Sequence, residues 1–302
     1  MAESDRSART ALPSGELVQR IRSDNNALHD APGYARWYDR HCGLIASPWE
    51  RRRFKADLAN LTARLNANPA TARPQGSQPS PGPGSLAWDL AAGTGNLTEL
   101  LLELGWNVLA VDQSPAMLEI LHQRVARFPA GRVQSICLPV EDFLHSPPAH
   151  TAPPMLIVGC SWLHHLADWQ GVVRLACRAL SPAGAIYLAH EPLPPERHRG
   201  LAPWLARADF LWQRVRTRLP TSLPAYLPPD PGWKPSLLAD YWTGPRGICP
   251  DQLERLLRNA GLRPLIFAYA SCTTRLFHTL AQTLGGTTLL RAIAHKPPPP
   301  AG

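Results

Sequence analysis

Four residues in the first half of the chain have the types and spacing to hold a small charged ligand: Asp89, Gly93, Gly95 and Asp112. The first three lie in Trp88-Asp-Leu-Ala-Ala-Gly-Thr-Gly-Asn96, an apolar run that ends in a Gly-x-Gly turn. Glycines there allow a tight turn and a close approach of backbone N–H groups to a ligand. A carboxylate four residues before the turn repels phosphate and suits an amino group. Asp112, 19 residues beyond Gly93, ends a second apolar run, where an acidic side chain can accept both hydroxyls of a ribose. An adenosine ligand with a cationic tail fits both carboxylates. The dinucleotide fingerprint Gly-x-Gly-x-x-Gly fails because Thr98 stands at its third glycine, which disfavours NAD.

Two further pairs carry proton chemistry. His164-His165 can act as a base that takes a proton from an acceptor, or as a pair that only stabilises a turn. His190-Glu191 ends a later apolar run and points to the same mouth, as a second base or an acceptor-binding pair. No histidine has ligand spacing to Cys, Asp or Glu, so no metal site is expected.

The elements that must position these groups follow from the pattern of apolar residues. Residues 86–90, 108–111, 133–138, 155–159 and 185–189 read as buried strands, with helices over 97–104, 115–128 and 172–180 between them. Ser114-Pro115 is a helix start, with serine as N-cap and proline at the first helical position. This alternation predicts a parallel α/β sheet. Residues 265–269 and 289–294 supply two last strands, preceded by a helix over 251–260. The whole reads as a Rossmann-like, mostly parallel sheet of seven strands, helices on both faces, and an antiparallel final strand.

Around this core, residues 1–66 form a helical arm in which Phe54, Leu58, Leu61 and Leu65 recur at helical spacing. Residues 67–84, rich in Pro, Gly and Ser, read as a disordered linker, and 297–302 as a disordered tail. The catalytic domain is expected over 85–296. Within it, residues 192–247 read as a lid insertion. Its helix puts Leu201, Trp204, Leu205, Ala208, Leu211, Trp212 and Val215 on one face, and its Pro-rich loop holds Tyr226, Trp233, Tyr241 and Trp242. The insertion has eight basic and four acidic residues, a net +4 out of +8 for all 302 residues. Arg197, Arg199, Arg207, Arg214, Arg216 and Arg218 beside apolar walls suit an aromatic or lipophilic acceptor that bears an acid group. Alternatively the tryptophans pack the helix and the arginines are solvated.

Six scattered cysteines without a Cys-x-x-Cys pair read as free thiols in a reducing compartment. No run of about 18 apolar residues is present, and the N-terminus lacks an apolar leader segment, so a cytoplasmic location is expected.

From residue 86 to residue 296 the chain resembles the class I S-adenosylmethionine-dependent methyltransferases. The resemblance rests on Trp88-Asp-Leu-Ala-Ala-Gly-Thr-Gly-Asn96, Ala110-Val-Asp-Gln-Ser-Pro-Ala-Met117, Ser161-Trp-Leu-His-His-Leu166, Arg178-Ala-Leu-Ser-Pro-Ala-Gly184 and Asp251-Gln-Leu-Glu-Arg-Leu-Leu-Arg-Asn-Ala-Gly261. It implies that S-adenosyl-L-methionine is the cofactor. The loop of Ala91, Gly93 and Gly95 would wrap its methionine part, with Asp89 at the amino group and Asp112 at the ribose. Gln113 and Met117 would flank the adenine, Val140 and Glu141 would line the base, and Cys160 and Ser161 would close the pocket floor. The arm with Tyr34, Trp37, Tyr38 and Asp39 resembles a segment that lids the cofactor, so Tyr38 joins the expected site. Ala91 replaces the family's usual first glycine, which is tolerable where φ is negative. Pro139 replaces a carboxylate that reaches the adenine amino group, leaving Asp142 or backbone groups for that contact.

The activity implied is in-line transfer of a methyl group to an O, N or C atom of a small acceptor, with His164, His165 and His190 as candidate bases. Positioning and desolvation can also carry such a transfer without a dedicated base. Two other readings stand beside it. An RNA methyltransferase would use the +8 charge and the aromatic-arginine insertion, but no RNA-binding module is recognisable, and Cys160-Ser161-Trp162-Leu163 is not an Asn/Asp-Pro-Pro-Tyr tetrapeptide. A binding module that has kept the fold without catalysis is the other.

Overall fold

The structure is a computed structural model that describes residues 15–31, 33–41, 47–67, 85–149, 151–218 and 246–297. The expected linker at 68–84, the tail beyond Pro297, the loop with Tyr226, Trp233, Tyr241 and Trp242, and the side chains of Trp37, Arg214, Val215, Arg216 and Arg218 lie outside the described residues.

Seven strands form one sheet: β1 (Leu86–Leu90), β2 (Asn107–Asp112), β3 (Val133–Cys137), β4 (Leu156–Cys160), β5 (Ala185–Pro192), β6 (Arg263–Tyr269) and β7 (Leu289–His295). Their order is β3-β2-β1-β4-β5-β7-β6, with β7 antiparallel to both its neighbours and the pairs among β1–β5 parallel. The order reverses between β1 and β4, and such a reversal opens a crevice at the carboxyl ends of the strands. The β1 turn, Asp112 and Cys160 all lie at those ends.

The helices follow as α1 (Gly15–His29), α2 (Tyr34–His41), α3 (Pro48–Ala67), α4 (Asn96–Glu103), α5 (Pro115–Val125), α6 (Val140–His145), α7 (Trp169–Ala179), α8 (Ala202–Arg218), α9 (Pro250–Asn259) and α10 (Arg275–Thr283). Strand side chains alternate between faces, so each face has its own core. One core joins Trp88, Ile157, Ile186 and Leu188 to Phe143 of α6, Val172 and Val173 of α7, and Leu253 and Leu257 of α9. The other joins Ala87, Val158, Ala185 and Tyr187 to Phe54, Leu58, Leu61 and Leu65 of α3, Leu100 and Leu101 of α4, and Leu121 of α5. Helix α3 is thus one of the layers that cover the sheet. It is fixed there by polar contacts as well: Trp106 Nε1 donates to Thr62 Oγ1 at 2.9 Å, and Tyr187 Oη to Asp57 Oδ2 at 3.0 Å.

Helix α8 turns a different face inward than its pattern of large residues predicts. Ala202 and Asp209 are buried and Leu205 partly so, against Ala281 and Phe277 of α10, whereas Trp204 is 70% exposed and Leu201, Leu211 and Trp212 are exposed too. The reason is Asp209, whose carboxylate accepts from Thr273 N and Oγ1 at 2.6 Å and from Thr274 N at 2.9 Å. It satisfies the free N–H groups at the start of α10 and so sets the rotation of α8. No described helix is long and apolar enough to cross a membrane.

Candidate active site

Alternation along β1 puts Asp89 on the face of Ala87, toward α4, where Thr98 Oγ1 donates to its Oδ2 at 2.6 Å. Burial raises the Asp89 carboxyl to about 7, helped by the nearby Asp112 and opposed by Thr98. Asp112 is also buried; its Oδ2 accepts from Gly93 N at 2.8 Å and its Oδ1 from Ser114 N at 2.9 Å. Burial raises Asp112 to about 6 against those backbone contacts. Each carboxylate oxygen has two acceptor sites, so Asp112 can hold the loop and still accept ligand hydroxyls.

Gly93 and Gly95 adopt φ of 52° and 84°, the left-handed conformation that glycine tolerates. A Cβ built on Gly93 meets nothing within 4 Å, so open space lies in front of the turn. At Gly95 a Cβ would come within 2.8 Å of Leu121 Cγ. At Ala91 φ is +54°, so the condition under which alanine replaces glycine there without strain is not met. The turn demands a left-handed residue there, since Ala92 N must reach back to Val111 O at 3.0 Å while Gly95 N closes on Ala92 O at 2.9 Å. Ser161 (φ 58°) and His190 (φ 59°) are also left-handed, so three strand ends of the same crevice hold strained non-glycine backbone. Such strain concentrates at functional sites.

The arm covers this end of the sheet. Arg22 binds Glu141 at 3.4 Å and Asp142 at 2.9 Å, and Asn25 Nδ2 donates to His165 O at 3.2 Å. Ser114 Oγ donates to Asp30, and Arg124 pairs with Asp39. His29 lies edge-on to Tyr38 and tilted against Tyr34, Tyr34 and Tyr38 are tilted against each other, His29 reaches the His165 ring at 6.1 Å, and Ala35 meets Met117 and Ile120. Burial lowers the His29 imidazole to about 4, so it is neutral under the roof. An open depression of about 510 Å³ lined by Arg36, Asp39, Glu99 and Arg124 lies on the outside of this contact and is bridged by ion pairs, so it is not the strand-end crevice.

Of the expected cofactor residues, Asp89, Ala91, Gly93, Gly95, Asp112, Gln113 and Cys160 come together at the ends of β1, β2 and β4, and Tyr38 lies in the roof. Met117 is buried against Ala35, and Val140 packs in the core below α6. Glu141 and Asp142 are both engaged by Arg22, which ties the start of α6 to α1.

The histidines separate. His164 Nδ1 contacts Glu191 Oε2 at 2.9 Å, and the same fully buried carboxylate accepts from Trp162 N at 2.9 Å, Leu163 N at 3.0 Å and His164 N at 3.3 Å. His164 therefore belongs to a turn that Glu191 caps. His190 and Glu191 do not act as the expected pair, because Glu191 is taken up by the Leu163–His165 turn. His190 faces α3 instead, with Nδ1 3.8 Å from Glu50 Oε2. Glu50 and Asp209 are the residues that sequence reasoning missed; both act on partners far along the chain, and nothing local marks them.

This parallel sheet with an antiparallel β7, a glycine turn after β1 and an acidic end to β2 is the fold of the class I methyltransferases. Residues 88–186 match the family model described as a methyltransferase domain. That stretch is a methyltransferase domain, and the cofactor such a domain implies is S-adenosylmethionine. Solved structures are similar in fold at low identity. Magnesium protoporphyrin IX methyltransferase from Synechocystis PCC 6803, with bound S-adenosylhomocysteine, has a TM-score of 0.52 at 11% identity, over 91% of this chain and 99% of that one. The plantazolicin methyltransferase BpumL gives 0.51 at 13% identity, over 94% and 100%. The Haemonchus contortus phosphoethanolamine-type N-methyltransferase 2 gives 0.52 at 14% identity, over 91% and 60%. A search of curated protein sequences returns no match.

Proposed function

We propose that this protein transfers a methyl group from S-adenosylmethionine to an O, N or C atom of a small aromatic or lipophilic acceptor. The observation that carries the reading is the cradle of Asp112 and Gly93 beside open space, at the point where the strand order reverses. In it Asp112 would hold the ribose and the loop of Ala91, Gly93 and Gly95 the methionine part. Gln113, Met117 and Val140 would lie about the adenine. The donor, when bound, supplies an electrophilic methyl on a cationic sulfur. Two buried carboxyls raised toward neutrality suit such a cationic ligand, which favours their ionised forms. The roof of α1 and α2 would exclude water and hold the reactants in line. Of the three candidate bases, His190 fits best: Glu191 holds His164 in a turn, and His165 packs under His29. The outward apolar face of α8 supports a lipophilic acceptor.

Calorimetry with S-adenosylhomocysteine tests the reading. The protein should give a saturable isotherm, and Asp112→Asn should weaken it about tenfold or more, equivalent to about 1.4 kcal/mol. Affinity should fall as the pH drops through 7 to 6, because protonated Asp89 no longer attracts the ammonium group and protonated Asp112 accepts less well from the ribose hydroxyls. An absent isotherm, or one indifferent to Asp112→Asn, counts against it.

A further inference from the structure

A second cluster of buried polar groups lies between the arm and the carboxyl end of β5. Glu50, near the start of α3, is fully buried in a layer otherwise built from Phe54, Leu58, Leu61 and Leu65. Arg53 NH1 binds its Oε1 at 2.8 Å and lies over the Tyr269 ring at 4.3 Å. Tyr269 Oη donates to Glu50 Oε2 at 3.5 Å. Burial alone would raise the Glu50 carboxyl, but His190 and Arg53 outweigh it and hold it below the usual carboxylate value.

Two members of the cluster approach Glu50 without closing a hydrogen bond: His190 Nδ1, 3.8 Å from Glu50 Oε2, and Ser271 Oγ are both buried with no partner at hydrogen-bond distance. Buried polar groups are almost always paired, so two orphans around one ionised carboxylate mark a place where a polar atom of a ligand belongs. His190 is also held in left-handed backbone at the register shift of β5. The cluster adjoins the donor crevice, since Ser161 N donates to Ala189 O at 2.9 Å and Cys160 pairs in register with Ala189.

We infer that Glu50, His190, Tyr269 and Ser271 form the subsite for the acceptor, and that the acceptor group is a hydroxyl of phenolic acidity. The inference rests on the methyltransferase reading and gives it a substrate class. The His190 imidazole takes the hydroxyl proton, and the Glu50 carboxylate beside it stabilises the imidazolium that results. The oxygen lone pair then forms the bond to the methyl carbon as the carbon–sulfur bond breaks, and the bonding pair goes to the sulfur, which becomes a neutral thioether. Amines with a free lone pair need no such base, and a carboxylic acid is already ionised. His190 is the group that meets the acceptor, and Glu50 is a positioning residue acting through it. The N-terminal arm thus contributes to the reaction centre as well as to the roof.

The test uses 4-nitrophenol, whose visible absorption appears only as the phenolate. Titrated into the protein saturated with S-adenosylhomocysteine, below the ordinary ionisation range of the phenol, it should show the phenolate band on binding. His190→Asn, which tolerates the left-handed backbone, should abolish the band. Glu50→Gln should reduce it several-fold, and Glu50→Asp should restore part of it, while the S-adenosylhomocysteine isotherm stays within about twofold of wild type in all three. With methyl-labelled S-adenosylmethionine and matched phenols and anilines, label should appear on the phenol oxygen, and Glu50→Gln should lower kcat about a hundredfold with little change in KM. A normal isotherm with no phenolate band, a band indifferent to Glu50→Gln and His190→Asn, or labelling of anilines alone overturns the acceptor assignment and leaves the donor reading standing. Loss of the isotherm in the wild-type protein overturns both.

Discussion

Ala91 holds a backbone conformation that its own side chain disfavours. The left-handed region costs an L-residue about 1–2 kcal/mol, and glycine gives back about 0.4–1 kcal/mol of that gain through the freer unfolded chain. Ala91→Gly should therefore stabilise the protein by roughly 1 kcal/mol, a rise of about 2–4 °C in thermal midpoint for a domain of this size. A lower midpoint would mean that the Cβ makes contacts worth more than the strain. The two carboxyls beside it make a pH-dependent contribution whose sign can be worked out. A carboxyl raised in the folded state contributes stability below its unfolded value of 3.8, and that contribution is lost as pH rises through about 6 for Asp112 and about 7 for Asp89. The ligand-free protein should lose stability across that window with a slope of up to about 1.4 kcal/mol per pH unit for each proton released. Asp89→Asn should flatten the slope in denaturant titrations at pH 5, 6, 7 and 8. His29 runs the other way: burial lowers it to about 4, so its contribution is present above 6.5 and is lost as pH falls toward 4. Comparing Asp89→Asn with wild type separates the two.

The inner parallel strands β1, β2, β4 and β5 were legible because each is a short apolar run buried on both faces of the sheet, and Ser114-Pro115 declares the start of α5 in its own residue types. The glycine turn and its two carboxylates were legible for the same local reason. What stayed hidden depends on partners distant in sequence. Asp209 reaches Thr273 across 64 residues to cap α10, a helix that the sequence pattern does not reveal, and that contact turns Trp204 outward. Glu191 reaches back 29 residues to Trp162, and neither end carries a local cap motif. That carboxylate is the main support of the Leu163–His165 turn, since its two oxygens take three backbone N–H groups and one imidazole. Glu191→Ala leaves buried donors unpaired at about 1–3 kcal/mol each, so a loss of at least 3 kcal/mol is expected in urea unfolding. A loss under 1 kcal/mol would show that water replaces the carboxylate.

At the scale of the whole molecule, the N-terminal segment performs two jobs that its sequence position alone does not separate. Helices α1 and α2 close the crevice through polar contacts and a few rings, a type of contact that opens locally at small cost. Helix α3 is different, because Phe54, Leu58, Leu61 and Leu65 are each at most 5% exposed and sit on the sheet itself. Burying four such side chains contributes about 1.5–3 kcal/mol apiece, a total that matches the whole net stability of a typical protein, about 5–15 kcal/mol. The covalent connection through residues 68–84 should therefore matter less than the packing. With a specific protease site inserted between residues 68 and 84 and cut after folding, the N-terminal fragment should co-elute with the rest of the chain in gel filtration, and the nicked protein should unfold in one transition. Leu58→Ala in the nicked protein should release the fragment, as a core truncation costing about 2–5 kcal/mol would. Because Glu50 travels on the same helix, release should also abolish the phenolate band of bound 4-nitrophenol. A fragment that leaves on cutting, with the remaining chain still cooperatively folded, would show that the sheet keeps its structure without α3.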